Sequence, residues 1–334
     1  MKKIRVGVAG YGTIGQRLAD GVALQEDMEL VGIADLAPTL SLQALRERDM
    51  IGENGVKYNL YLVDGADEAA FCEKDIPVAG SFDELCKNVD IMLDSAPGGV
   101  GAKNKENYYD KYGVKAIFQG GEKNSVADVF FHGYANYEKG VGHNYLKLTS
   151  CNTTGLIRTV DCLDRAYGIE KVAITIIRRV ADPGDYHRGL TNALQMEKAP
   201  THQALDLMTI MPHVNATGIL VHTPVTHGHI ITVLATAKDG RKITKEMALE
   251  AFRKHPPSPR ASRATPPSSS TQEISVTAAA ICTRSACGRT PSWNQAMTSC
   301  TPSMSHKSPS RSPKRWTPSA PRLASRRPAR RARP

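Results

Sequence analysis

Apolar residues fall in short bursts through the first half of the chain, separated by stretches with helical spacing. Ile4-Arg-Val-Gly-Val-Ala9, Glu29-Leu-Val-Gly-Ile-Ala34, Val89-Asp-Ile-Met-Leu-Asp94 and Val114-Lys-Ala-Ile-Phe118 are runs of five or six residues. Such runs are too short for helices and apolar enough for strands buried on both faces. Gln16 to Leu24 reads as a helix between the first two. After a further short strand at Tyr145-Leu-Lys-Leu148, the residues Leu156, Val160, Leu163 and Tyr167 recur at the 3.6-residue period. Val172-Ala-Ile-Thr-Ile-Ile177 and Ile230-Ile-Thr-Val-Leu-Ala235 predict two more strands, and Thr244 to Lys254 a last helix. Strands alternating with helices predict an α/β fold with a parallel sheet.

The first strand runs directly into Gly10-Tyr-Gly-Thr-Ile-Gly15, and a helix follows. Strand, G-x-G-x-x-G, helix is the dinucleotide-binding fingerprint in its required context, where glycines let backbone N–H groups approach a pyrophosphate at the helix N-terminus. The expected cofactor contacts are therefore Gly10, Gly12 and Gly15. Asp35 stands twenty residues beyond Gly15, at the end of the second strand. An acid there can bind both ribose hydroxyls of NAD and repels the 2′-phosphate of NADP, although a plain turn aspartate would look the same. Glycine-rich loops close the next two strands, Pro97-Gly-Gly-Val-Gly101 and Gln119-Gly-Gly121, at the strand ends where an open α/β sheet binds its ligand. The fold class that follows is an N-terminal Rossmann domain over 1–140 and an α+β catalytic domain over 141–255.

Composition changes this picture at one place. The chain has 334 residues and a formal charge of +10, but 14 of its 43 basic residues and a single acid, Glu273, lie beyond His255. The first 255 residues carry 29 basic and 32 acidic side chains, so the globular part gives no reason to expect nucleic acid as a partner. The stretch 256–334 holds 13 of the 20 prolines and no Phe or Tyr, a composition that cannot bury a core and reads as a disordered basic tail. It also reads as translation out of frame. If each shifted codon takes its last two bases from the next visible one, Ser268–Ile274 can encode LEYARD, Cys287–Thr301 WEDSVVEPGDDELY and Lys307–Ala320, led by the last base of His306, QESLAVPEAVDAIR. All three use one offset and need no stop codon. No apolar run of 18 residues and no signal segment is present, so a cytoplasmic protein away from membranes is expected. Seven cysteines without ligand spacing predict neither a metal site nor a disulfide framework.

The chemistry centres on Leu148-Thr-Ser-Cys-Asn-Thr-Thr-Gly155. Ser150 or Asn152 can cap the helix that follows, which places Cys151 at its positive end, where a thiol ionises more readily. A buried, inert cysteine is the bland alternative, but flanking Ser, Asn and two Thr make a polar turn rather than a core. Arg178 and Arg179 close a strand and could hold a phosphate or face solvent. His227 and His229 lie one residue apart, on one side of a strand, and either could serve Cys151 as base.

These pieces together resemble the archaeal-type phosphorylating glyceraldehyde-3-phosphate dehydrogenases. The matching segments are GYGTIGQR at 10–17, QGGEK at 119–123, SCNTTGLIRT at 150–159, RRVADP at 178–183 and the histidines near 227. The resemblance covers about residues 1 to 255. It implies a Cys151 nucleophile, His227 as base in preference to His229, and a substrate site lined by Ser150, Asn152, Thr201 and His202. It also implies NAD or NADP held at Thr13, Ile14, Gly121 and Arg179, with inorganic phosphate as co-substrate in a homotetramer. Asp35 stands where many relatives carry a lysine that favours NADP, and the family's paired histidines appear as His202-Gln203. Another thiol-dependent semialdehyde dehydrogenase, or a non-catalytic product with a nucleic-acid-binding tail, are the competing readings.

Overall fold

The computed structural model describes residues 2–48, 50–51, 58–119, 121–179, 194–224 and 229–254. His227 and everything beyond Lys254 lie outside them. The first sheet has eight strands: β1 (Ile4–Ala9), β2 (Met28–Asp35), β3 (Leu60–Leu62), β4 (Gly80–Ser81), β5 (Ile91–Asp94), β6 (Lys115–Phe118), β7 (Val129–Phe131) and β8 (Tyr145–Leu148). Their order across the sheet is β4-β3-β2-β1-β5-β6-β8-β7, and every pair is parallel. Consecutive residues of one strand enter different cores. Val8 and Ile33 pack with Leu42, Leu60 and Phe71, whereas Ala9 and Ala34 pack with Phe82, Met92 and Phe118. Side chains alternate across a strand, so the sheet is covered on both faces, as its unbroken apolar runs require.

The order of strands reverses at β1, with β2 on one side and β5 on the other. A crevice at the strand C-termini opens at such a switch point. One feature here departs from simple periodicity. Residues 100–112 form one continuous helical stretch whose middle, Lys105–Tyr109, is wound as a π-helix. The wider turn carries Tyr109 inward, where its hydroxyl donates to Asp94 Oδ2 at 2.6 Å.

The second sheet has four strands, β9 (Ile169–Arg179), β10 (Gln195–Met196), β11 (Asn215–Thr223) and β12 (His229–Ala237), in the order β10-β11-β9-β12. β9 and β11 run parallel, and the two outer pairings are antiparallel. Helices Cys151–Tyr167, His202–Ile210 and Lys245–Lys254 share a third core with one face of this sheet, built from Leu156, Ile157, Val160, Ile174, Ile176, Leu207, Leu220 and Ala251. Both helix–strand connections bring the chain back to the start of a strand. Tyr167 passes through Gly168 into β9, and Ile210 leads by 211–214 into β11. The N-termini of those two helices therefore lie at the C-terminal end of β9 and β11. Thr201 N, donating to Gly218 O at 3.1 Å, ties the second of them to β11.

Candidate active site

The three fingerprint glycines are needed for three different reasons. Gly10 takes a φ of +82°, which turns the chain off β1. A Cβ on Gly15 would lie 1.8 Å from the carbonyl oxygen of Gly10, so only glycine lets the helix start against the strand. A Cβ on Gly12 would meet nothing within 4 Å; its freedom serves the approach of something else. Gly12, Thr13 and Ile14 are exposed at the start of helix Thr13–Ala23. Asp35 is bonded into the same loop: Oδ2 accepts from Tyr11 N at 2.8 Å and Oδ1 from Leu36 N at 2.7 Å.

Across the crevice, Ser95 donates to the carbonyls of Ala9 and Gly10 at 3.0 and 2.8 Å, binding the loop after β5 to the fingerprint. The two other glycine loops meet backbone to backbone, because a Cβ on Gly98 would lie 2.9 Å from Gly121 O. Glu122, almost buried, accepts from Gly101 N at 2.8 Å. Asp94, at the end of β5, accepts from Asn104, Tyr109 and Ala96 N, and burial pushes its carboxyl above the usual range. Gly121 thus lies against Gly98 on the β5–β6 side of the crevice, facing the fingerprint side held by Ser95.

Cys151 is the first residue of its helix and is exposed. Ser150 is the cap, with its Oγ accepting from Thr153 N at 3.3 Å. Thr153 is fully buried; its Oγ1 lies 2.8 Å from Ser150 Oγ and 3.2 Å from Asp206 Oδ2. Thr149 and Thr154 join hydroxyls at 2.7 Å, and the ring of His132 reaches Thr154 O at 3.3 Å. Asn152 is buried beneath the same turn. The polar residues that distinguish this turn from a core are thus mostly spent on holding the helix end in place, leaving the thiol outside.

At the same end of the second unit of secondary structure stand Thr201 and His202. Thr201 caps its helix, accepting from Ala204 N at 3.3 Å, and the peptide bond preceding Pro200 is cis. Arg178 pairs in register with His222 of β11 and His229 of β12, so the three side chains share one face of the sheet. It is the face of Ile174 and Ile176, toward the helices. Glu197 bridges the histidines, at 3.0 Å from His222 Nε2 and 3.6 Å from His202 Nδ1. Arg178 and Arg179 are consecutive strand residues, which sends their side chains to opposite faces; the pair is not a single clamp. Arg179 is nearly buried.

Sequence reasoning gave no role to Lys147, Glu122, Asp206, His132 or Gln203, although it named Glu122 within QGGEK and Gln203 within His202-Gln203. The first is a lysine in the middle of an apolar strand, a signal in plain view. Gln203 is fully buried, and neither end of its amide has a hydrogen-bond partner among the described residues. Among the described residues no group of three or more His, Cys, Asp or Glu could hold a metal ion, and no helix is long and apolar enough to cross a membrane.

Residues 150–260 match the model of the family described as "Glyceraldehyde 3-phosphate dehydrogenase, C-terminal domain". The chain is similar over about three quarters of its length to archaeal proteins named glyceraldehyde-3-phosphate dehydrogenase. That of Methanoregula boonei is 35% identical over 76% of this chain and 71% of its own length. That of Methanococcoides burtonii is 38% identical over 75% of each, and that of Sulfolobus acidocaldarius 39% identical over 77% and 72%.

Proposed function

The chain belongs to the glyceraldehyde-3-phosphate dehydrogenase family, and we propose that it is the oxidoreductase that its family and site imply. It takes D-glyceraldehyde 3-phosphate and inorganic phosphate to 1,3-bisphosphoglycerate through a thioester on Cys151. The observation that carries this reading is the exposed thiol on the first residue of a capped helix. Residues 1–140 form the cofactor domain and 141–255 the catalytic domain, and the reaction belongs to the cytoplasm, in a homotetramer.

The crevice fits a dinucleotide. An open Cβ position at Gly12, helix N–H groups behind it and the turn at Gly10 suit a pyrophosphate. Thr13, Ile14 and Gly121 border it, and Arg179 completes the set. Bound there, the nicotinamide supplies the hydride acceptor. Asp35, at the end of β2, favours the free ribose hydroxyls of NAD over the phosphate of NADP.

The chain's own residues do the rest. Cys151, as thiolate, adds to the aldehyde carbon and gives a hemithioacetal. Its hydroxyl proton passes to His227, with His229 as the alternative base; His229 begins β12 beside Arg178, and His227 lies outside the described residues. Once the carbon is oxidised, the thioester on Cys151 is opened by inorganic phosphate, which regenerates the thiolate. Ser150, Asn152, Thr201 and His202 border the aldehyde.

The test is NAD(P)H formation from glyceraldehyde 3-phosphate with and without phosphate, in the chain and in Cys151→Ser. Phosphate-dependent turnover that falls at least ~10³-fold in the variant, about 4 kcal/mol in the barrier, is expected. Turnover indifferent to phosphate would instead point to a non-phosphorylating semialdehyde dehydrogenase. Turnover that survives in the variant would remove Cys151 from the mechanism.

A further inference from the structure

Beneath the nucleophile's turn lies a partly buried group of charges that the proposed chemistry does not use. Lys147, on β8, is 3% exposed and donates from Nζ to Leu148 O at 2.6 Å. It interacts electrostatically with Asp206 and Glu122. Asp206, on helix His202–Ile210, accepts from Thr153 Oγ1 and from the side chain of Asn124, and feels the charges of His202 and Lys147. It is therefore the point where the loop after β6, strand β8, the thiol's helix and a second helix converge.

The hydrogen bonds here have a direction. An ionised carboxylate only accepts, so Thr153 must donate to Asp206. Its oxygen is then left to accept from Ser150, whose own oxygen accepts from Thr153 N. The relay fixes the rotor of Ser150, the residue next to Cys151, and points its proton at Thr153 Oγ1. Burial pushes the Asp206 carboxyl up, against which the Thr153 bond and the charges of His202 and Lys147 act. Burial likewise pulls the Lys147 ammonium down, and Asp206 and Glu122 oppose it. Each of the pair makes the other's charge tolerable; removal of one leaves a buried charge uncompensated.

We propose that Asp206, with Lys147 as its counter-charge, is a positioning residue that sets the first turn of the Cys151 helix through Thr153 and Ser150. The idea deepens the proposed thiol chemistry and rests on it only for its kinetic arm. Its reactivity arm needs no substrate: the pH profile of alkylation by iodoacetamide, read at Cys151 by peptide mass mapping on the full chain.

Three variants separate positioning from plain stability. Asp206→Asn removes a negative charge from beside the thiol's turn and keeps an acceptor for Thr153. Its alkylation profile should move to lower pH while kcat falls at least about tenfold. Thr153→Val breaks the relay at constant shape; kcat should fall about tenfold with KM within about twofold, and Thr153→Ser should restore it. An Asp206→Asn chain whose alkylation profile and kcat both stay in place overturns the proposal, as does a Thr153→Val chain with unchanged kcat. If no variant and no parent turns over glyceraldehyde 3-phosphate, the alkylation profiles still decide the matter. That result would count against the substrate and not against the relay.

Discussion

A methyl group on Gly15 would sit 1.8 Å from the Gly10 carbonyl, whereas one on Gly12 would sit in the open. Gly15→Ala should therefore lower the melting temperature by several degrees as well as weaken cofactor binding. Gly12→Ala should leave melting within about one degree and raise the KM for cofactor at least about tenfold, which thermal melts beside cofactor titrations would check. Asp35→Asn should lower the ratio of kcat/KM for NAD to that for NADP at least about fivefold; an unchanged ratio would mean that Asp35 only braces Tyr11. At Gln203 the argument runs the other way. An amide buried without partners costs free energy, so Gln203→Met should raise the urea midpoint, by an amount worth about 1 kcal/mol. At this scale the sequence was readable where chemistry is local. Spacing alone marks Gly10, Gly12, Gly15 and Asp35, and a polar turn marks Cys151. Lys147 stands out in its apolar strand, but the role of Asp206 beside it was not legible, because Thr153 and Asp206 lie 53 residues apart and meet only through the fold.

Elements came through where one period governs them. β1, β2 and the helix after Cys151 lie within a few residues of the positions that their patterns predict, and Ser150, one of two candidate caps, is the cap observed. The stretch 100–112 shows why other elements did not. A π-turn at Lys105–Tyr109 is paid for by the bond from Tyr109 to Asp94, which no window of sequence contains. β11 was missed because Asn215-Ala-Thr-Gly-Ile mixes polar and small residues, and its partner β9 rather than its own pattern makes it a strand. Two element-scale outcomes follow. Arg5 and Asp90 join the beginnings of β1 and β5, at 2.8 Å, far from the crevice end of the strands. The bonds from the Arg5 side chain and backbone hold the Asp90 carboxyl down to about 2. A lowered carboxylate stabilises the fold above its ordinary range and loses that contribution as pH falls through the lowered value. Asp90→Asn should thus be less stable than the parent in urea at neutral pH, with the gap closing between about pH 4 and about pH 2, and with kcat unchanged. The last described helix packs on the nucleophile's helix through Ala248 and Ala251, with Cys162 Sγ donating to Ala251 O at 3.0 Å. Ala251→Asp buries a charge there and should cost at least about 3 kcal/mol, read as loss of folded protein by circular dichroism.

On the scale of the whole molecule, the chain has a near-neutral body and a strongly basic end. Its family's C-terminal domain model matches only as far as residue 260. The out-of-frame reading accounts for the change of composition by a single event. Resequencing between the codons for Phe252 and Ser268 should find an insertion or deletion, and the frame-restored chain should be at least tenfold more active than the chain as written. An intact reading frame there would end that explanation, and the tail would have to be judged as a basic segment in its own right, by the salt dependence of nucleic-acid binding. Fold class was legible at this scale because alternating strands and helices leave few topologies open. The order of the second sheet was not, since nothing local says that β9 lies between β11 and β12.

That order has a consequence for handling the protein. Among the described residues β12 ends the sheet, with Ile230 and Leu234 exposed on its outer side. Among the described residues, one rim of that strand is a row of amide and carbonyl groups with no strand beside it, a template for another strand. A neighbouring chain in a crowded preparation will pair there. Recovery of the chain as written should therefore fall with concentration during expression and refolding, as association rather than stability comes to decide the yield.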